Sequence, residues 1–265
     1  MSELIFLKLG GSLITDKSSS ETARPGVLGR IAAEVKQALD ARKDLTLLIG
    51  HGSGSFGHVA AAKFGTRQGV HTRMDWLGFA EVSSAAARLN AIVREALIGA
   101  GVPAVTFQPS ASAICEDGRI VSLSVPQIQK ALREGLVPLV YGDVAIDRIR
   151  GGTIISTEEI LSYIAPEIQP RSILLAGETE GVLNEEGEVI PVIHDANIDR
   201  IRQTLGGSRG TDVTGGMASK VEDMINLAMA QPSLEIRIFS GLIEGVVEQC
   251  LTRSDVELGT LITAH

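Results

Sequence analysis

The 265-residue chain is 44% hydrophobic but only 3% aromatic, contains 29 glycines and carries a net charge of −8. That length suits one large α/β domain or two lobes on a common sheet, and the acidic balance without a basic run excludes nucleic acid, whose phosphates are gripped by clustered Lys and Arg. No run reaches the about 18 apolar residues of a membrane span, the amino terminus lacks a leader pattern, and Cys115 and Cys250 match neither a disulfide framework nor a metal spacing, so a cytoplasmic chain without a membrane partner is expected.

Leu4–Leu9 is an apolar run broken only by Lys8 and ending at Gly10-Gly11-Ser12, which reads as a strand and a tight turn. Lys17 follows closely, so two ammonium groups flank one glycine turn, an arrangement that neutralises a polyphosphate; the plain alternative is a pair of solvated lysines. Pro25 to Lys43 has apolar residues at helical spacing and reads as a crossover helix. The run Leu45–Ile49 then enters Gly50-His51-Gly52-Ser53-Gly54-Ser55-Phe56-Gly57-His58, followed by the helix-like Val59–Phe64. A glycine-rich turn opening a helix lets backbone approach a ligand and aims free N–H groups at it, which suits a phosphate. His58, closing that turn, donates to a phosphate oxygen in either protonation state.

Asp75 to Gly101 is a long helix whose apolar residues are mostly core, although Phe79 and Val82, near its start, also suit the wall of an apolar pocket. Ala104–Phe107 and Leu136–Tyr141 are strand-like, with hairpin tips at Glu116-Asp117-Gly118 and over Asp147–Gly152. Gly142-Asp143 puts a carboxylate at a strand's carboxyl end, where α/β sheets bind ligands and where it would hold a metal or orient the lysines; an ordinary turn aspartate is the alternative. The second half repeats the rhythm without a linker. Ser172–Ala176 reads as a strand, Gly177–Gly181 as a turn, Asn184–Gly187 as a hairpin tip and Asp195–Leu205 as a helix. Gly210 to Met217 then leads into the helix Ala218–Ala230 with Lys220 in its first turns, and Ile236–Phe239 and Gly259–Ile262 complete the sheet.

Two familiar nucleotide sites are poor matches. Gly52 to Gly57 spells G-x-G-x-x-G, but the following segment is loop-like and the strand with its terminal acid about 20 residues on is missing; G-x-x-x-x-G-K-[ST] occurs nowhere.

Lys8-Leu9-Gly10-Gly11-Ser12 with Asp16-Lys17, His51 to His58, Tyr141-Gly142-Asp143, and Asp212 to Met217 with Lys220 together resemble the isopentenyl phosphate kinases of the amino acid kinase superfamily, over nearly the whole length. The resemblance implies an α/β fold with an open, mainly parallel sheet sandwiched by helices and carrying β-hairpin insertions. It implies an acceptor lobe near residues 1–170, a nucleotide lobe near 171–265, and a homodimer. The implied reaction is ATP-dependent phosphorylation of isopentenyl phosphate to isopentenyl diphosphate, an isoprenoid precursor, with ATP and Mg²⁺ as cofactors. Carried over residue by residue, Lys8, Gly10, Gly11 and Ser12 contact ATP phosphates, Gly54 faces the nucleotide, and Glu178, Gly181, Gly216 and Lys220 hold ATP from the other lobe. Lys17 stabilises the transferring phosphoryl group. His58 holds the acceptor phosphate with Ser53, Gly142 and Asp143 nearby, while Phe79, Val82, Val144 and Ile154 surround the prenyl tail. Catalytic roles fall to Lys8, Lys17, His58 and Lys220.

The chain departs from the family pattern at Ser53, where a glycine is common, at Glu178-Thr179-Glu180-Gly181, where Asp-x-Asp-Gly is usual, and at Thr157-Glu158-Glu159, where Gly-Asp-Asp is usual. Two alternatives stay open: a kinase for another small phosphate or phosphonate, as in fosfomycin kinase, and a non-catalytic nucleotide-binding sensor.

Overall fold

The computed structural model of the chain describes residues 3–199, 201–202 and 216–265, excepting the side chains of 58–60 and 216–220. Strand β1 (Glu3–Leu9) is apolar on both faces: Ile5, Leu7 and Leu9 enter one helical layer and Phe6 the other, each at 2% exposure or less. Such strands belong in the middle of a parallel sheet covered on both sides. β1 accordingly lies inside an eight-stranded sheet, between β2 (Leu45–His51) and β9 (Ser172–Gly177). Beyond β2 come β6 (Val137–Tyr141) and β3 (Ala104–Thr106); beyond β9 come β11 (Glu235–Ser240), β12 (Thr260–Ile262) and β10 (Val192–Ile193). Pairing is parallel from β11 through to β3, and β12 runs antiparallel to β11.

The layer under Ile5, Leu7 and Leu9 is built by α2 (Pro25–Ala41), α4 (Arg73–Gly99) and α8 (Val246–Thr252). The layer under Phe6 is built by α5 (Pro126–Arg133), α6 (Thr157–Ile168) and α7 (Gly216–Ala230). Two short elements lie at the carboxyl end of the strands, α1 (Gly11–Ile14) after β1 and α3 (Gly54–Phe64) after β2. None of the described helices is long and apolar enough to cross a membrane.

The expected strands and the helices α2 and α4 form within two residues of their anticipated limits at most ends. The expected β-hairpin insertions form a separate four-stranded sheet, β5 (Arg119–Ser122), β4 (Ile114–Glu116), β7 (Asp143–Asp147) and β8 (Gly151–Ile155). Two features differ. The glycine motif does not stay a loop as far as His58, because α3 begins at Gly54. Helices α5, α6 and α8 arise where no helix is anticipated. Of the expected helix at 195–205, residues 198–199 and 201–202 are helical and 200 and 203–205 lie outside the described residues, as does most of the turn at 210–217.

The small sheet is tied at its tips by Asp147. Its Oδ1 accepts from the N–H groups of Asp117 (3.2 Å), Ile149 and Arg150 (both 2.8 Å), and Oδ2 from Gly118 (2.6 Å). Burial pushes this carboxyl up, but the backbone donors outweigh it and the net shift is downward. A depressed folded value gives stability that is present above the ordinary 3.8 and lost as pH falls through the folded value. Asp147→Asn is therefore expected to cost about 2 kcal/mol, a melting shift of roughly 4–8 °C at neutral pH. In a thermal melt series the gap between the two proteins should close in acid; a gap independent of pH would show that the charge is not what holds the tips.

Candidate active site

β1 is the branch point of the main sheet: β2, β6 and β3 lie on one side of it, and β9 and β11, which come later in the chain, on the other. Ligands of open α/β sheets sit outside the carboxyl ends of the strands at such a point. There the Gly10 N–H donates to the Ala176 carbonyl at 2.8 Å and the Gly52 N–H to the Leu9 carbonyl at 3.0 Å, so the turn after β1 is held between β9 and the turn after β2.

The two glycine turns meet backbone to backbone. A Cβ on Gly11 would lie 2.4 Å from the nitrogen and 2.7 Å from the Cα of Gly54, distances no side chain tolerates. Gly54 itself has φ +49°, and a Cβ there would lie 2.1 Å from Thr15 Oγ1. The first turn carries Gly10, Gly11 and Ser12, and the second Ser53 and Gly54, so the sequence-predicted ATP and acceptor elements lie side by side. Because α3 starts at Gly54, His58 stands in its second turn rather than closing a loop. Its side chain, like that of Lys220 on α7, lies outside the described residues.

Alternation along β1 decides where Lys8 goes. Even positions face the α5, α6 and α7 layer, so Lys8, the last of them, reaches the first turn of α6 and bonds Glu158 Oε1 at 2.8 Å, with side chains 12% and 6% exposed. Opposite charge is what makes a lysine tolerable in that position. Helix α6 is started by a capping box in which Ser156 Oγ accepts from the Glu159 N–H and Glu159 accepts from the Ser156 N–H. Glu159 also receives both arms of the Arg67 guanidinium, at 2.9 and 2.7 Å. With Glu159 turned to Arg67, Glu158 is the carboxylate that faces Lys8.

Among the described residues the Asp143 carboxylate meets no lysine; it is buried and accepts from Ser83 Oγ (3.3 Å), the Ser110 N–H (3.1 Å) and the Val144 N–H (2.8 Å). Burial drives its pKa upward against those bonds. Gly142 beside it donates its N–H to the His51 carbonyl at 3.1 Å, which keeps this strand end level with the second glycine turn. His51 is fully buried, stacked on Tyr141 with ring centres 5.5 Å apart, with Nδ1 3.0 Å from the Gly52 carbonyl and Nε2 3.2 Å from Asn90 Oδ1. Burial lowers its pKa, so it stands in the motif as a neutral ring.

Lys17 is 64% exposed, and its ammonium lies 3.9 Å from Glu178 Oε2, at the end of β9. Arg24 holds the other oxygen of Glu178 at 2.9 Å. Gly181 lies against β12, where Thr260 Oγ1 accepts the Val182 N–H at 2.8 Å, and Gly216 opens α7. Of the four apolar positions, Val82 and Val144 are buried at 3% and 1%, whereas Phe79 and Ile154 are partly exposed. Val144 and Ile154 are cross-strand partners in β7 and β8, and the Phe79 ring lies over Gly152 of β8.

Arg67, Arg24 and Thr15 have no place in a reading of the sequence by motif, and Glu158 enters it only within Thr157-Glu158-Glu159, with no partner assigned. Only α6 left a local trace, Ser156-Thr157-Glu158-Glu159, an S-x-x-E cap that announces a helix start. A cavity of about 40 Å³ lies at the opposite, amino-terminal edge of the sheet beside Arg42, Arg171, Arg237 and Cys250. Arg42 is paired there with Glu3 and Arg171 with Glu235, and none of the glycine turns reaches it.

A family model described as the amino acid kinase family matches residues 3–240. The isopentenyl phosphate kinase of Methanothermobacter thermautotrophicus is 34% identical over 273 residues, covering 98% of this chain and 99% of that protein. That of Methanocaldococcus jannaschii is 38% identical over 229 residues, covering 84% and 86%. A solved isopentenyl phosphate kinase superposes with a TM-score of 0.83 at 31% identity, over 98% of this chain and 100% of that one. Similarity of this extent, over the strands and turns that build the site, means that the chain belongs to the amino acid kinase family and, within it, to the isopentenyl phosphate kinases.

Proposed function

We propose that this protein transfers the γ-phosphoryl group of ATP to a phosphate oxygen of isopentenyl phosphate. The bond from γ-phosphorus to its bridging oxygen breaks, a new P–O bond forms to the acceptor, and isopentenyl diphosphate and ADP leave. The observation that carries this is the backbone contact of the two glycine turns at the ends of β1 and β2, Gly11 against Gly54, which supports a reading with donor and acceptor phosphates held side by side. The acceptor oxygen is already anionic, so no strong base and no covalent enzyme intermediate are required. Catalysis is then positioning plus neutralisation, with Lys8 from the end of β1, Lys17 from the segment after α1, Lys220 from α7, and His58 on the acceptor phosphate. The acceptor half is 1–170 and the nucleotide half 171–265, in a cytoplasmic homodimer.

Mg²⁺ has no cage of three or more His, Cys, Asp or Glu among the described residues. Glu158 faces Lys8, Glu159 faces Arg67 and Asp143 faces Ser83 and Ser110. Mg²⁺ that binds chiefly through nucleotide phosphates and waters needs no such cage, and no step is assigned to it.

The test is a coupled ADP-release assay over a panel of alkyl monophosphates and a phosphonate. Isopentenyl phosphate should give stoichiometric ADP. His58→Ala should lower acceptor kcat/KM about ten- to hundred-fold, the loss of a hydrogen bond to a charged partner, with the KM for ATP nearly unchanged and partial recovery in His58→Gln. ADP release with the phosphonate alone would replace the acceptor class, and no ADP release with any acceptor would leave a nucleotide-binding module.

A further inference from the structure

The geometry points to Thr15 as a positioning residue that sets the two glycine turns against each other for phosphoryl transfer, an inference that rests on the function proposed above. Thr15 follows α1, is wholly buried, and is bridged to Ala23. Its hydroxyl donates to the Gly11 carbonyl at 2.7 Å and accepts from the Ser55 N–H at 3.0 Å. One oxygen makes both bonds, since a hydroxyl carries one donor and two acceptor sites. The first bond fixes the turn assigned to the ATP phosphates; the second fixes the opening turn of α3, the helix that carries His58.

The Ser55 N–H is one of the early helix donors that have no carbonyl partner inside their own helix. Thr15 satisfies it, so α3 is located along its axis by the segment after β1 rather than by its own hydrogen bonds. The same oxygen fills the space beside Gly54, where a Cβ would come within 2.1 Å of it. Around this point Thr22 donates its N–H to Ser55 Oγ at 3.3 Å, so the segment 15–23 follows whatever Thr15 and Ser55 do.

In-line transfer needs the attacking oxygen about 3–3.5 Å from the phosphorus and aligned with it, and a misplacement of about 1 Å costs on the order of a hundred-fold. On the proposed function the first turn takes the ATP phosphates and His58 of α3 the acceptor phosphate. A drift between the turns leaves each binding site intact and is felt only where the two reactants meet. Removing the hydroxyl should therefore appear in kcat and hardly in either KM.

The experiment compares Thr15→Val, which keeps the shape and loses the hydroxyl, with Thr15→Ser, which keeps the hydroxyl and loses the methyl. In the full chain Thr15→Val should lose about ten- to hundred-fold in kcat, with both KM values within roughly threefold of the unsubstituted protein. Thr15→Ser should recover kcat to within about threefold despite its smaller bulk. An unchanged kcat in Thr15→Val overturns the inference, as does a loss carried wholly by one KM, or a serine variant no better than valine. If Thr15→Val does not fold, Thr15→Ser against Thr15→Cys carries the comparison, because a thiol is a weak donor and acceptor; equal kcat for those two also overturns it. The unsubstituted protein, run alongside, separates the two levels: no ADP release with isopentenyl phosphate defeats the functional reading and this inference with it, whereas normal release with an insensitive Thr15 defeats this inference alone.

Discussion

Gly11→Ala is expected to lower kcat by about a hundred-fold or more, because a methyl group at residue 11 forces the two glycine turns apart. The added carbon would sit 2.4 Å from the nitrogen and 2.7 Å from the Cα of Gly54, and 3.3 Å from the carbonyl carbon of Gly52. All three neighbours are backbone, so no rotamer change relieves the clash. The turns must separate by about 1 Å to reach ordinary contact, which is the scale of displacement that costs two orders of magnitude in a positioned reaction. Overpacking of this kind also costs roughly 1–3 kcal/mol in stability. A control is available in α2. A Cβ on Gly29 would meet nothing within 4 Å, so Gly29→Ala should be neutral or stabilise by up to about 1 kcal/mol through helix propensity, with full activity. Steady-state kinetics with a thermal melt on both variants checks this. Normal kcat in Gly11→Ala would mean that the contact between the turns does not place the reactants.

The second large effect is expected at Lys8. Lys8→Met keeps the apolar stem and removes the ammonium, and should cost about 10²–10³-fold in kcat, as for the loss of one preorganised group at developing charge. Glu158→Gln keeps the shape of the partner and removes its charge. If Glu158 acts by holding Lys8 at 2.8 Å, its substitution alone should cost less, on the order of ten-fold, and the double variant should be no slower than Lys8→Met. Effects that simply multiply in the double variant would place the two residues in separate roles. Melting curves on all four proteins keep catalysis apart from folding, because the pair joins β1 to α6 as well as facing the first glycine turn.

What the sequence determined by itself was local. The double-sided apolar run Leu4–Leu9, the period of α2 and the positive-φ glycines at hairpin tips each follow from the conformational preferences of a few neighbouring residues. The resemblance of the glycine motifs to a kinase family added the fold and the chemistry. The early start of α3 was not legible, since Gly54 and Gly57 argue locally against helix. Tertiary contacts override them: the Gly54 backbone has to fit beneath Thr15, and the Ser53 side chain occupies the space a Cβ on Gly57 would need.

Only the tertiary structure decided which charges meet. Lys8 and Glu158 are 150 residues apart, Arg24 and Glu178 are 154 apart, and the hydroxyl of Thr15 meets the N–H of Ser55 across 40 residues. Nothing in the residues between them encodes those distances. They follow from the order of strands, with β9, β1 and β2 adjacent, and from the two-residue period of β1, which turns Lys8 toward α6 and Leu9 away from it. Pattern in sequence is read over one turn or one strand, whereas a partner across the sheet is fixed by register and topology, which exist only once the whole core has closed.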